Sequence, residues 1–282
     1  MNEKTDQSTA ASAPGETEAL EGSASAQTGR PDVEVIPIDY KRHELRILAG
    51  SKQERSWRAK PGRREPWTLA WLEDATRRGD IVYDVGANVG VFSLIAARLL
   101  GGEGVVVAFE PGFASYARLC QNVALNGLSS MVVPVPLALS SSSGLQAFTY
   151  RSTDPGESRH TFSAEAWSAP AGQDRRKRYT QPIVALTLDE AVPLLGLSIP
   201  NLVKLDVDGA EGHVLRGGRR TLSTPACRSV FAEIDNTNTD EVVSLLESYG
   251  FRLEARYTRK KASSLWHGAF HRVEHEVREG EA

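Results

Sequence analysis

The stretch from Asp80 to Leu100 places the tightest constraint on how this chain folds. The apolar run IVYDV ends at Val85, a turn with two glycines follows, and residues 91–100 then carry apolar side chains at helical spacing. A short apolar run is typical of a buried parallel strand, and glycine lets the backbone turn sharply or approach a ligand closely. A strand, a glycine turn and a helix in this order predict the opening unit of a nucleotide-binding α/β sheet.

The spacing within the turn narrows the kind of ligand. A dinucleotide-binding turn has the pattern G-x-G-x-x-G, whereas this chain has D-x-G-x-N-x-G. That pattern resembles motif I of the class I methyltransferases that use S-adenosylmethionine (SAM), in which the loop surrounds the methionine part of SAM and the acidic residue lies beneath it. The resemblance implies cofactor-binding roles for Asp84, Gly86, Asn88 and Gly90. The alternative is a structural glycine turn in another α/β protein.

Composition divides the chain into three parts. Residues 1–33 are rich in Ser, Ala, Thr, Gly and Glu and nearly lack large apolar side chains, so they are predicted to be disordered. Residues 34–79 are expected to form an N-terminal extension with a short strand or hairpin and a helix that begins near Pro66. Residues 80–278 are then expected to form the methyltransferase domain, with an insertion on the acceptor side over about 140–180.

Charge, cysteine content and hydropathy disfavour several classes of protein. The net charge of −3 hides an acidic first 34 residues, and the remainder is nearly neutral, which gives no case for nucleic-acid binding. Cys120 and Cys227 form no CxxC pair, and no apolar run is long enough to span a bilayer. No signal peptide is visible, so the expected location is the cytoplasm.

The second and third predicted strands end in residues that could bind the ribose and the adenine of SAM. The second strand ends at Glu110, 20 residues after Gly90, where a carboxylate can accept hydrogen bonds from both ribose hydroxyls. An ordinary surface glutamate is the alternative. Residues 131–139 predict the third strand, and by position Ala138, between two leucines, is expected beside the adenine ring.

The fourth and fifth predicted strands bring further acids to the same edge of the sheet. They supply Asp206, Asp208, Glu233 and Asp235. Ligands of a doubly wound sheet bind beyond the carboxyl ends of its strands. We therefore expect Asp206 to face the same crevice as Gly86 and Glu110.

The remaining segments predict a lid and the end of the sheet. After a predicted strand at 145–150, about 30 residues lack clear periodicity, and such long segments are more often functional than idle. We expect this insertion to form a lid over the acceptor, and it includes His160. Toward the C-terminus a sixth strand is predicted at 251–257 and an alternating seventh strand at 269–277.

Four segments occur together in the order and spacing of a known family. They are DVGANVG at 84–90, AFEP at 108–111, LTLDE at 186–190 and KLDVDGAE at 204–211. Together they resemble the FkbM-type SAM-dependent methyltransferases. The resemblance implies a class I SAM-methyltransferase Rossmann-like fold, with a seven-stranded, mostly parallel sheet, an antiparallel last strand and helices on both faces. It also implies O-methylation of a hydroxyl on a small molecule, a sugar or another natural product.

Methyl transfer to an alcohol needs a group that removes the hydroxyl proton, because an alcohol is a weak nucleophile. The predicted catalytic residues are His160, whose ring titrates near neutral pH, and the pair Asp206 and Asp208. Glu233 is a further candidate at a strand end. Aspartate before glycine also favours tight turns, so a purely structural role for Asp208 is the alternative.

A divalent metal is a second way to activate an acceptor. Asp206, Asp235 and Asn236 form an oxygen-rich set at neighbouring strand ends, and Mg²⁺ prefers such ligands. The set resembles the metal site of catechol-type O-methyltransferases, although Glu233 rather than Asp235 has the position typical of the FkbM-type family. The primary prediction is a site without metal, and Mg²⁺ at these three residues is the alternative.

Other functions compete with O-methylation. Base methylation of RNA typically uses an Asn/Asp-Pro-Pro-aromatic motif after the fourth strand, and DVDG at 206–209 does not match it. Protein methylation and a non-catalytic SAM-binding module stay open, and the glycine spacing disfavours a nicotinamide dehydrogenase. The expected partner is therefore a small-molecule or glycan hydroxyl acceptor.

Overall fold

The structure is a computed structural model that describes residues 32–167, 179–259 and 263–273. Residues 1–31, which include most of the tail predicted to be disordered, lie outside the described residues, as do 168–178 of the predicted insertion. No helix in the described part of the chain is long and apolar enough to cross a membrane.

The described elements alternate between strands and helices over most of the chain. The strands are β1 (Glu34–Pro37), β2 (Arg46–Ala49), β3 (Ile81–Val85), β4 (Val105–Phe109), β5 (Val132–Val135), β6 (Ala138–Leu139), β7 (Gly144–Thr149), β8 (Thr161–Ala166), β9 (Thr180–Leu186), β10 (Leu202–Leu205), β11 (Ser229–Asp235), β12 (Phe251–Tyr257) and β13 (Leu265–Arg272). The helices are α1 (Pro61–Arg64), α2 (Pro66–Ala75), α3 (Val91–Leu99), α4 (Phe113–Leu125), α5 (Leu188–Leu194), α6 (Glu211–Gly217), α7 (Arg219–Ser223) and α8 (Thr239–Ser248), and a π-helical turn spans Glu54–Arg58.

Seven strands form the central sheet. Their spatial order is β12-β13-β11-β10-β3-β4-β5. The five strands from β11 to β5 pair in parallel, while β13 is antiparallel to both β11 and β12. The predicted class I Rossmann-like sheet with an antiparallel last strand is confirmed.

Helices cover both faces of this sheet. One core contains Leu72 of α2, Leu94 of α3 and Leu119 of α4, and the other contains Leu188 of α5, Leu215 of α6 and Leu246 of α8. Successive residues of β3 alternate between these cores, with Val82 in the first and Tyr83 in the second. Burial on both faces explains why these strands occur in the sequence as continuous apolar runs.

The predicted third strand is divided in two. Its first half, β5, is the edge strand of the central sheet, and its second half, β6, pairs with β9 in another sheet. Pro136 lies between the halves and has no N–H to continue the β5 ladder, so the chain leaves the sheet there.

The predicted seventh strand is displaced in sequence. It was expected as an alternating segment at 269–277, whereas β13 spans Leu265–Arg272, and residues 274–277 lie outside the described residues. β13 runs between β11 and β12, so its five consecutive residues from Trp266 to Phe270 are all buried. A strand covered on both faces shows no alternation, which is why the expected pattern missed it.

The insertion is more regular than predicted. β7, at the expected place, joins β8, β9 and β6 in a four-stranded sheet of order β6-β9-β7-β8. β8 was not predicted, because it is an edge strand whose side chains from Thr161 to Glu165 are exposed or only half-buried and give no pattern of buried apolar residues. Between β7 and β8 lies the segment 155–160, which we call the strap.

The N-terminal extension lies against the central domain. β1 and β2 form an antiparallel pair, and α2 begins at Pro66 as expected. Two asparagines bind the free edge of β2. Asn122 of α4 accepts from Leu48 N at 2.8 Å, and Asn126, the residue after α4, accepts from Arg46 N at 3.0 Å. Asn122 also donates to the carbonyl of Val89 at 2.9 Å, so it joins the extension to the glycine turn.

Candidate active site

A cavity of about 270 Å³ opens at the carboxyl edge of the central sheet. The ends of β3, β4, β10 and β11, the strap and the N-terminal extension form its wall. Of the residues predicted for the site, it is lined by Gly86, Asn88, Glu110, Ala138, His160, Asp206 and Asp208. A smaller recess of about 20 Å³ lies beside the glycine turn and is reached by Lys204 and Asp206.

Five residues lie side by side across this edge, and we call them the edge row. The register of the strands places them there. Val85 pairs with both Phe109 and Leu205, and Leu205 pairs with Ala232, so the residues that follow these four also lie side by side. The residue after Ala232 is Glu233, which pairs with His267. In spatial order the row is therefore Glu110, Gly86, Asp206, Glu233 and His267. Neighbouring strands are about 4.8 Å apart, so adjacent members of the row are separated by steps of about that size.

Gly86 is required by the close approach of two strands. Its φ is +82°, and a Cβ atom there would lie 1.8 Å from the carbonyl oxygen of Asp206. Gly90 is at φ +86°, and a Cβ atom there would meet Leu119 Cδ1 at 2.4 Å. Gly90 is not among the residues that line the two cavities, so its contact is with α4.

Glu110 is fixed by backbone amides at the end of β4. One carboxylate oxygen accepts from Asn88 N at 2.8 Å and the other from Gly112 N at 2.7 Å. Burial raises the pKa of Glu110 to about 7, although these two amides oppose the shift. A buried carboxylate with spare lone pairs is suited to accept hydrogen bonds from ligand hydroxyls.

Asp84 lies beneath the glycine turn rather than in the cavity wall. Its carboxylate accepts from Ser93 Oγ at 2.6 Å and lies 3.5 Å from Lys204 Nζ. Lys204 is buried and also lies 3.2 Å from Asp206. Burial opposes ionisation of Asp206, but Lys204 outweighs it, so the pKa of Asp206 is below its ordinary value. Lys204 therefore holds Asp206 as a carboxylate and joins it to Asp84.

The strap is tied to its surroundings mainly through its main chain. Ser51 Oγ donates to Pro155 O at 2.8 Å, Arg58 Nε to Gly156 O at 2.9 Å, and Asn88 Nδ2 to Glu157 O at 2.7 Å. The amides of Arg159 and His160 donate to Asp208 Oδ2 at 2.6 and 3.3 Å. The N-terminal extension, the glycine turn and the turn after β10 thus hold the strap over the cavity.

Hydrogen bonds and burial determine the protonation of two predicted catalytic residues, Asp208 and His160. Asp208, at φ +53°, uses its carboxylate to bind the strap, and burial followed by the charge of Asp206 raises its pKa to about 6. His160 Nδ1 accepts from Arg151 N at 3.2 Å, and burial lowers the pKa of His160. A neutral ring with Nδ1 occupied carries its proton on Nε2, so it can donate to a ligand.

The residues predicted as an alternative metal site are not brought together. The Asp235 carboxylate is exposed and accepts from Thr237 N and Oγ1, and Asn236 donates to Ser263 O. Neither lines the cavity with Asp206. The described residues contain no group of three His, Cys, Asp or Glu side chains placed to hold a metal. The turn after β11 directs its polar groups into local bonds, and the Mg²⁺ alternative is not supported.

Part of the cavity wall comes from the N-terminal extension, and little in the amino-acid sequence indicated it. Gln53, Trp57, Arg58 and Glu65 line the cavity. Trp57 is contacted by two guanidinium groups, Arg64 at 4.3 Å and Arg259 at 4.4 Å from its ring centre. The basic character of residues 41–64 was the one available signal. Their place over the crevice depends on packing between segments far apart in the chain.

The wall fits SAM. The Glu110 carboxylate is placed for a ribose, apolar Leu137, Ala138 and Leu139 offer a surface for an aromatic base, and the recess beside the glycine turn presents Lys204 and Asp206 to a charged amino-acid end.

Comparison with known proteins identifies the family. The family model described as "Methyltransferase FkbM domain" matches residues 84–253 of this chain. The hexuronic acid methyltransferase AglP of Haloferax volcanii is 29% identical over 171 residues, which cover 61% of this chain and 63% of that protein. The 31-O-demethyl-FK506 methyltransferase FkbM of Streptomyces tacrolimicus is 29% identical over 200 residues, which cover 64% of this chain and 75% of that protein.

A solved structure is also similar, the methyltransferase FkbM of Methylobacillus flagellatus KT. It is 12% identical with a TM-score of 0.44, covering 72% of this chain and 50% of that one. The family match spans more than half of the chain and contains the glycine turn, Glu110 and the acids that follow β10. This chain belongs to the FkbM methyltransferase family.

Proposed function

We propose that this chain is a SAM-dependent O-methyltransferase whose acceptor is a hydroxyl group on a small molecule or glycan. The observation that carries the proposal is the edge row, which joins a carboxylate suited to ribose, a glycine turn and further carboxylates along one cavity.

The cofactor end of the row is formed by Glu110 and Gly86. Glu110 would accept from the ribose hydroxyls, Ala138 would contact the adenine, and the turn that contains Asn88 would surround the methionine part. Asp84 acts from below through Lys204, and Gly90 keeps α3 close to α4. When bound, SAM supplies a methyl group on a positively charged sulfur atom.

The acceptor end lies beyond Asp206, under the strap. Carboxylates of Asp206, Asp208 and Glu233 face this space with the rings of Phe148 and Phe162. Carboxylates accept hydrogen bonds from hydroxyl groups, and one of them can take the proton that the acceptor loses. His160 would donate from Nε2 to an acceptor oxygen. The names of the relatives, which include a hexuronic acid methyltransferase and an FK506 methyltransferase, support acceptors of this kind.

Cofactor binding can be tested without knowing the acceptor. The wild-type chain should bind S-adenosylhomocysteine in calorimetry, and Glu110→Gln should weaken binding by about tenfold or more, because it removes a charged acceptor from the ribose. Glu103→Gln is the matched control, since Glu103 is an exposed glutamate just before β4. Absence of binding by the wild-type chain would refute the proposal.

The acceptor class needs a separate experiment. Methyl-labelled SAM should transfer its label to a hydroxyl oxygen in a panel of sugars and hydroxylated natural products. Transfer should be equal with and without a chelator. Label found on nitrogen or on a protein side chain would contradict O-methylation.

A further inference from the structure

The far end of the edge row contains a buried pair that the proposed function leaves without a role. Glu233 of β11 and His267 of β13 are cross-strand partners, and His267 Nε2 lies 3.2 Å from Glu233 Oε2. The Glu233 side chain is 20% exposed and lines the cavity, whereas that of His267 is 10% exposed and lies behind it. The carboxylate therefore faces a ligand while the imidazole supports it from the sheet.

Aromatic packing fixes the position of the imidazole. The ring centre of His267 lies 5.3 Å from that of Trp67 and 5.8 Å from that of Phe231. These contacts come from α2 and β11 and hold the ring beside Glu233. The pair is held by the sheet and not by a mobile loop.

The other polar groups of the acceptor side are already engaged. Asp206 is paired with Lys204, Asp208 binds the strap, and Nδ1 of His160 accepts from Arg151. Within the described residues, no donor forms a hydrogen bond with Oε1 of Glu233. Among the described residues, Oδ1 of Asp206, Oδ1 of Asp208 and Oε2 of Glu65 also lack a donor. Glu233 differs from them in the buried histidine beside it, and its free oxygen can take a proton.

We propose that Glu233 accepts the proton of the acceptor hydroxyl and that His267 is the positioning residue that holds Glu233 in place. The inference rests on the proposed O-methylation. The acceptor oxygen bonds to the methyl carbon as the carbon–sulfur bond breaks, and that electron pair stays on sulfur in S-adenosylhomocysteine. The hydroxyl proton moves to the Glu233 carboxylate and leaves from there to water.

The charges around Glu233 suit this role. Three charged or titratable groups act on Glu233: Asp206, which follows β10; Glu65, which precedes α2; and His267 of β13. Burial and then Asp206 raise the pKa of Glu233 to about 7, and His267 opposes them. A base of this strength is partly ionised near neutral pH and binds a proton readily.

Sinefungin, a SAM analogue with an amine in place of the transferred methyl group, tests the geometry without an acceptor. If Glu233 faces the transferring group, the wild-type chain should bind sinefungin about tenfold tighter than S-adenosylhomocysteine at pH 8. This preference should fall as pH drops through 7. Glu233→Gln should abolish the preference and its pH dependence while changing the affinity for S-adenosylhomocysteine by less than about twofold.

A matched control is available on the same sheet. Glu254 and His271 form a second glutamate–histidine pair at 3.8 Å that is exposed and distant from the cavity wall, so Glu254→Gln should leave the preference unchanged. A Glu233→Gln variant that keeps the wild-type preference would overturn the assignment of the base. A wild-type chain that binds neither compound would instead refute the proposed function.

The positioning role of His267 has its own readout. His267→Gln keeps a donor for Glu233, whereas His267→Leu removes it. The pH midpoint of the sinefungin preference should rise in His267→Leu, because the Glu233 carboxylate loses its donor, and stay near the wild-type value in His267→Gln. Equal midpoints in all three proteins would overturn the role of His267. Binding of S-adenosylhomocysteine reports whether each variant is folded, and His267→Gln tests the role if His267→Leu is not.

Discussion

Replacement of Gly86 by alanine places a methyl group inside the neighbouring strand. The new Cβ atom would lie 1.8 Å from the carbonyl oxygen of Asp206, and contacts below 3.0 Å are not tolerated. β3 and β10 must therefore move apart at their carboxyl ends until this contact lengthens from 1.8 Å to at least 3.0 Å. That movement also strains the hydrogen bond from Asp206 N to Val85 O, now 3.0 Å.

A second glycine provides the reference for this cost. Gly79 has φ +87°, close to the +82° of Gly86, but a Cβ atom there would have no neighbour within 4 Å. Gly79→Ala should therefore cost only the backbone strain of a positive φ, roughly 1–2 kcal/mol. Gly86→Ala adds the weakened hydrogen bond and the displaced strand, for a total of about 3–6 kcal/mol.

Urea unfolding followed by tryptophan fluorescence measures both costs. The free energy of unfolding should fall by at least about 2 kcal/mol more in Gly86→Ala than in Gly79→Ala. Affinity for S-adenosylhomocysteine should also fall in Gly86→Ala alone, because the strands that line the cavity have moved. Equal losses of stability in the two variants would show that β3 and β10 do not approach so closely, and the spacing of the edge row would then be wrong.

Two other perturbations test the charges below and above the cavity. Lys204→Met leaves Asp84 and Asp206 without a counter-charge and should lower the free energy of unfolding in urea by about 3–5 kcal/mol at pH 8. The loss should be smaller at pH 5, because the buried Asp206 carboxyl group, once it lacks Lys204, then binds a proton more readily in the folded than in the unfolded state; equal losses at both pH values would contradict this reasoning. Asp208→Gly tolerates the positive φ but removes the acceptor for the strap, so hydrogen exchange at the amides of Arg159 and His160 should be about tenfold faster while that of β3 is unchanged. Unaltered exchange at those two amides would show that Asp208 does not hold the strap.

Those parts of the site that depend on local order could be predicted from the sequence. Glu110, Gly86 and Asp206 each follow a short apolar run, and parallel strands with helical crossovers bring such ends to one edge. Their shared position required only that the runs were recognised as strands. The fold class followed from the same regularity.

Residues that depend on pairing between distant strands could not be predicted. His267 lies 34 residues after Glu233, and their contact requires the register between β11 and the antiparallel β13. Burial on both faces removes the alternation that would have located β13. Arg58 was missed for a related reason, because its contact with Gly156 joins segments 98 residues apart.

The strap is held over the cavity mainly by bonds to its main chain, and the ring of His160, which accepts from Arg151 N, adds a side-chain bond. The bonds that hold the strap and the side chains that it presents to the cavity are therefore largely separable. Side chains at Ser158 and Arg159, which line the cavity, can be exchanged without loss of a tether. We expect a library of variants at these two positions to change the cavity wall while the strap stays in place.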